Sequence, residues 1–182
     1  EVFDAELLKY FSERYRVITY QRRERENEKL SISDRVNDAL SVLDYLDIHQ
    51  AHFVSHSSGS IVGTTLAMEK PELFSSYVWM NLSRRAARDL PWHRKLLTSL
   101  IYYIPFPDAL VLHYLAKSCS GNAGKGDDYY DRVYEQFAKV KETASIDSLS
   151  KWFVNSVWSL ADYSFGENLR QLTFPVLLLN SD

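Results

Sequence analysis

Two short apolar runs, residues 51–55 (AHFVS) and 76–81 (SYVWMN), flank a segment that reads as a helix over 61–68 and stops at Pro71. Strands joined by a helical crossover run parallel. Both runs read as continuous rather than alternating, which marks strands buried on both faces of a parallel sheet. The pattern extends outward from this unit. Residues 4–14 carry Leu7, Leu8 and Phe11 at helical spacing, and 15–20 (YRVITY) read as a strand. Ser33 and Asp34 offer an N-cap for a helix over 35–46, whose Val36, Ala39, Leu40, Val42, Leu43 and Leu46 share one face. A final run, 174–179 (FPVLLL), reads as a strand entered through a proline. Strand and helix in alternation predict a layered α/β architecture.

The middle of the chain has another character. Residues 92–103, 108–117, 128–141 and 146–160 are helical in pattern, interrupted by Pro105, Pro107 and a glycine-containing loop over 118–128. The stretch 84–168 therefore reads as a helical cap inserted into a core made of 1–83 and 169–182. Its aromatic residues Trp92, Tyr102, Tyr103, Phe106, Trp152 and Trp158 suit a pocket lid and a helix-packing core equally.

Composition narrows the function classes. The chain has 182 residues, 46% of them hydrophobic, enough for one domain with a small insertion. A net charge of −3 does not favour nucleic-acid binding. A single cysteine, Cys119, excludes an intramolecular disulfide, and no Cys/His cluster has zinc spacing. No run approaches the roughly 18 apolar residues of a membrane span. The opening Glu1-Val2-Phe3-Asp4 has no initiator Met and no signal pattern, so the chain reads as an internal fragment, with a cytoplasmic location as the expectation. Oligomeric state is left open.

The residues that can carry chemistry are Ser55-His56-Ser57-Ser58-Gly59-Ser60, directly after one strand and at the opening of a helix. That context defines a nucleophile elbow. The central residue, Ser57, takes a strained backbone, and its neighbours two before and two after, Ser55 and Gly59, must be small because strand and helix approach closely. The turn lifts the serine oxygen to the carboxyl end of the sheet, where ligands of open α/β sheets bind. It also aims the backbone N–H of Ser58 at a developing oxyanion.

The run YRVITYQRR…SISDRVNDALSVLDYLDIHQAHFVSHSSGSIVGTTLAMEKPELFSSYVWMN resembles the middle of α/β-hydrolase-superfamily proteins, the esterases, lactonases and epoxide hydrolases. Arg22 and Arg23 match the family's paired arginines, Pro71-Glu72 its PE pair, and FPVLLLNSD the strand leading to its acid. The resemblance implies a three-layer parallel sheet with an inserted helical cap. It implies a serine hydrolase acting on a small ester, lactone or related apolar substrate, with Ser57 as nucleophile, Ser58 N–H as one oxyanion donor, and no metal or organic cofactor. The acid would be Asp182 or a carboxylate just after it.

Some positions depart from the family. Gln21 stands for its Asp, residues 24–27 replace loop glycines, and Ser55 and Ser60 stand where the elbow usually has Gly. The family's base follows its acid, and its second oxyanion donor comes from an earlier loop. The five histidines, His49, His52, His56, His93 and His113, read as packing or surface residues. The 182-residue chain by itself is accordingly expected to be inactive. The alternative is a catalytically inert protein of this fold that binds a ligand or partner, or a truncated remnant. Two other features are set aside: residues 121–126 (GNAGKG) lack the spacing of a phosphate loop, and Arg84, Arg85, Arg88, Arg94 and Lys95 read as a solvated helix face.

Overall fold

The computed structural model describes residues 5–23, 30–80, 92–93, 96, 100, 103–104, 106–120, 124–143, 148–159 and 166–179. Its centre is a three-stranded parallel sheet in the order β1 (Ala51–His56), β2 (Phe74–Met80), β3 (Val176–Leu179). Helices α1 (Ala5–Ser12) and α2 (Ile32–Tyr45) precede it, and α3 (Ser58–Glu69) with a 3₁₀ turn at Pro71–Leu73 connects β1 to β2. Helices α4 (Asp108–Ser120), α5 (Asp128–Thr143) and α6 (Leu149–Ser159) follow, then a 3₁₀ segment, Gly166–Gln171, before β3.

Helix α2 begins at Ile32, where its chemistry dictates, three residues earlier than the sequence suggests. Ser31 is the N-cap. Its hydroxyl accepts from the Asp34 N–H at 3.1 Å, and the Asp34 carboxylate accepts from the Ser31 N–H at 2.8 Å. This reciprocal capping box satisfies two donors that a helix start leaves orphaned. Asp34 is thus the third helical residue. Its carboxyl is held below the usual range by hydrogen bonds from Ser31.

The core of the sheet layer is Val36 from α2, Val62, Leu66 and Ala67 from α3, and Phe74, Tyr77 and Trp79 from β2. Fully burying a side chain such as Leu66 contributes about 1.5–3 kcal/mol. Phe53 stacks on Phe74 at 3.9 Å between ring centroids and Phe74 on Phe174 at 5.0 Å. This aromatic row ties together the starts of all three strands. Helices α4 to α6 build a separate core from Val111, Leu112, Leu115, Leu149 and Trp152, with Ala116, Tyr130 and Val133 beside it.

Two expectations are corrected. Residues 15–20 form no ladder. Tyr15 meets the His52 ring edge-on at 6.0 Å, and Arg23 pairs with Asp38 at 3.1 Å. This segment is therefore held by side chains, and β propensity yields a strand only where a backbone edge pairs with it. The strands are also not buried on both faces. Phe53 and Ser55 turn towards the helices, whereas His52 and Val54 are exposed, as are all four residues of β3. Among the described residues, α2 and α3 cover one face of β1 and β2, so the pleat shows as alternation.

Candidate active site

The end of β1 and the start of α3 meet at Ser57, which has φ 52° and ψ −121°. A positive φ is rare for a residue with a Cβ, and such strain persists where surrounding contacts enforce it. Those contacts are present. The Ser57 N–H donates to the Met80 carbonyl at the end of β2 at 2.9 Å, and the Ser57 carbonyl accepts from the Ser60 N–H at 3.0 Å. Ser57 occupies the N-cap position of α3, yet its side chain makes no capping hydrogen bond. Its hydroxyl is not consumed by the helix it precedes. Ser58 and Gly59 lie in the first turn, whose N–H groups have no intrahelical acceptor. A negative charge developing beside Ser57 would meet these donors and the positive end of the helix dipole.

The close approach of strand and helix falls elsewhere than the sequence suggests. A Cβ added at Gly59 meets nothing within 4 Å. One helical turn on, a Cβ at Gly63 would sit 2.1 Å from the Tyr77 hydroxyl oxygen. Tyr77 reaches under the elbow. Its hydroxyl is 2.7 Å from Ser55 Oγ and donates to the Ser60 carbonyl at 3.2 Å. Ser55 Oγ donates to Ser60 Oγ at 3.1 Å, and Ser60 Oγ donates to the Met80 carbonyl at 3.3 Å. The two serines standing in place of glycine are therefore joined in one polar network. Burial pushes the Tyr77 phenol up to about 12, so it is a neutral hydroxyl at physiological pH.

Arg22 donates from a guanidinium nitrogen to Ser58 Oγ at 3.2 Å, fastening the segment before α2 to the elbow. Its neighbour Arg23 holds Asp38 of α2 through two contacts, 3.1 and 3.2 Å. The paired arginines are thus structural links at the rim of the site. Burial pushes the His56 imidazole down from its ordinary value, favouring the neutral form.

The other histidines are engaged away from the elbow. His49 pairs with Asp47 at 3.2 Å, His52 contacts Ser76 Oγ at 2.8 Å, and His113 contacts the Tyr130 hydroxyl at 2.6 Å. His93 packs edge-on against Trp92. Asp182, the candidate acid, lies outside the described residues, as do Tyr102 and the basic residues Arg84, Arg85, Arg88, Arg94 and Lys95. Of the cap aromatics, Trp152 is buried in the helical core, whereas Trp92 and Tyr103 are exposed. At the glycine-containing loop, the Gly126 N–H donates to the Asp131 carboxylate at 3.2 Å. The chain's own anion occupies that donor.

Sequence reasoning missed Tyr77 and Gly63. A glycine inside a helical pattern signals close backbone approach and was the available clue for Gly63. Nothing local marks Tyr77. Among the described residues, no helix is long and apolar enough to cross a membrane, and no group of three or more His, Cys, Asp or Glu could hold a metal ion.

A parallel sheet with a crossover helix and a strained serine at the strand-to-helix turn defines the α/β-hydrolase class of architecture. Comparison with known proteins agrees. No protein-family model matches the chain. RutD of Pseudomonas syringae pv. syringae, provisionally named a carbamate hydrolase, is 38% identical over 71 residues, 37% of this chain and 27% of that protein. The strigolactone esterase D14 of Arabidopsis thaliana is 28% identical over 96 residues, 48% of this chain and 36% of its own length. The enol-lactonase of Burkholderia xenovorans LB400 superposes with a TM-score of 0.54 at 17% identity, covering 82% of this chain and 54% of that structure. The chain has the α/β-hydrolase fold and is similar in sequence to these hydrolases over part of its length. It matches only about a quarter to a third of the length of these two sequence relatives.

Proposed function

We propose that the protein is a serine hydrolase acting on a small ester, lactone or related apolar substrate, with Ser57 as nucleophile. The observation that carries this reading is the strained Ser57, held at φ 52° with its hydroxyl left out of the helix cap. In this reading Ser57 Oγ attacks the substrate carbonyl carbon, and the oxyanion is stabilised by the Ser58 N–H and a second donor. A histidine base supported by Asp182, or by another carboxylate, takes the serine proton and returns it to the leaving group. Water then attacks the acyl-enzyme and releases the acid. In this reading residues 84–168 serve as a cap for the substrate. Three similar proteins named for carbamate, ester and lactone chemistry support the reaction class.

A fluorophosphonate probe tests the assignment. The full-length protein is expected to be labelled at one site, and Ser57→Ala to abolish the labelling. Absence of labelling, or equal labelling of Ser57→Ala, refutes the nucleophile. It would favour the second reading, an inert binding protein of the same fold, towards which Gln21 and the serines at 55 and 60 point.

A further inference from the structure

We propose that Tyr77 is a positioning residue for the Ser57 elbow, its hydroxyl joining Ser55 at the end of the strand to Ser60 in the first turn of the helix. The inference rests on Ser57 being the nucleophile and adds a part that the nucleophile motif does not contain.

Ser55 and Ser60 bracket Ser57, one on each side of the turn. Ser55 is half-buried and Ser60 fully buried, and Ser55 Oγ donates to Ser60 Oγ across the turn at 3.1 Å. Tyr77 comes from the neighbouring strand and places its hydroxyl within reach of both sides of the turn, 2.7 Å from Ser55 Oγ and 3.2 Å from the Ser60 carbonyl. The same carbonyl accepts from Thr64 Oγ1 at 2.6 Å, so the first turn of α3 is pinned by side chains from two elements. The Met80 carbonyl closes the network. It accepts from the Ser57 N–H at 2.9 Å and from Ser60 Oγ at 3.3 Å.

The space for the phenol is built in. Gly63 omits the Cβ that would lie 2.1 Å from the Tyr77 oxygen. The ring has no exposed surface and is wedged edge-on between Phe74, at 5.4 Å, and Trp79, at 5.3 Å. A tyrosine so confined has one place for its hydroxyl, and a fixed hydroxyl fixes what it bonds. The brace therefore sets the direction in which Ser57 Oγ faces the reacting carbon and the Ser58 N–H faces its oxygen. Misplacement at such a site by about 1 Å lowers rates on the order of a hundredfold.

The test uses the full-length protein and a fluorophosphonate probe over a range of concentrations, giving a maximal labelling rate and a half-saturating concentration. Tyr77→Phe keeps the ring and removes only the hydroxyl. The expected result is a maximal rate at Ser57 lowered about tenfold to a hundredfold, with the half-saturating concentration unchanged. A merely structural tyrosine would lower the melting temperature and leave the maximal rate of the folded protein unaltered. That result overturns the inference while leaving Ser57 as nucleophile. If Tyr77→Phe does not fold, Ser55→Ala removes the strand side of the brace and carries the same expectation, and an unaltered maximal rate there also overturns it. If the wild-type protein is not labelled at Ser57, the nucleophile falls and the positioning role falls with it.

Discussion

Among the described glycines, Gly63 lies closest to another element, against Tyr77, and Gly63→Ala measures that contact. An alanine Cβ would lie 2.1 Å from the phenol oxygen and 2.9 Å from the ring carbon bearing it. Both separations are shorter than non-bonded atoms adopt, so helix or ring must move. The ring has little freedom, since Phe74 and Trp79 hold it and its residue is fully buried. Overpacking of this kind costs about 1–3 kcal/mol. Displacing the hydroxyl from Ser55 loses roughly another 1 kcal/mol. Alanine returns about 1 kcal/mol through its better helix propensity. The net expectation is a destabilisation of about 1–3 kcal/mol, read from urea denaturation of the full-length protein. Gly59→Ala is the control, because it adds the same methyl to the same helix where nothing lies within 4 Å. It should be neutral or stabilising by up to about 1 kcal/mol. Equal effects of the two substitutions would refute the packing argument.

Three further outcomes are expected. Ser57→Gly relieves a positive φ, storing about 1–3 kcal/mol, less the greater freedom of an unfolded glycine; chemical denaturation should show a gain of about 1 kcal/mol, and a loss of stability would argue against strain at the elbow. Ser31→Ala removes the hydroxyl that accepts from the Asp34 N–H at 3.1 Å and should destabilise by about 1 kcal/mol; an unchanged midpoint in thermal unfolding would show that the cap is dispensable. His56, whose pKa burial lowers, should titrate below a free imidazole when followed by NMR. Because the unfolded chain takes up that proton first, stability should fall as pH drops through about 6.5 towards the lower folded value; a His56 titrating above 6.5 would refute this.

Much of the site was readable before any coordinates. The spacing of apolar runs located β1, β2, β3 and α2, because burial on a periodic element leaves a periodic record. The sequence SHSSG between a strand and a helix marked the elbow, although the close approach expected at Gly59 falls at Gly63. The N-cap of α2 was misplaced by two residues, since Ser31 and Ser33 offer the same hydroxyl and only the Asp34 contact discriminates between them. The run over 15–20 has strand-forming residues but no paired edge. Strand formation depends on a neighbour that local sequence does not name.

By itself, the chain's order of residues determined the α/β class and the place of Ser57 at the strand-to-helix turn, because both follow from the pattern of residues along the chain. Tertiary structure alone decided what surrounds them. Tyr77 meets Ser55 across 22 positions and Arg22 meets Ser58 across 36. The glycine that matters for close approach is Gly63 rather than Gly59. Such pairings arise when separate elements are packed on one face of the sheet, and no periodicity within either element encodes which side chain will lie opposite.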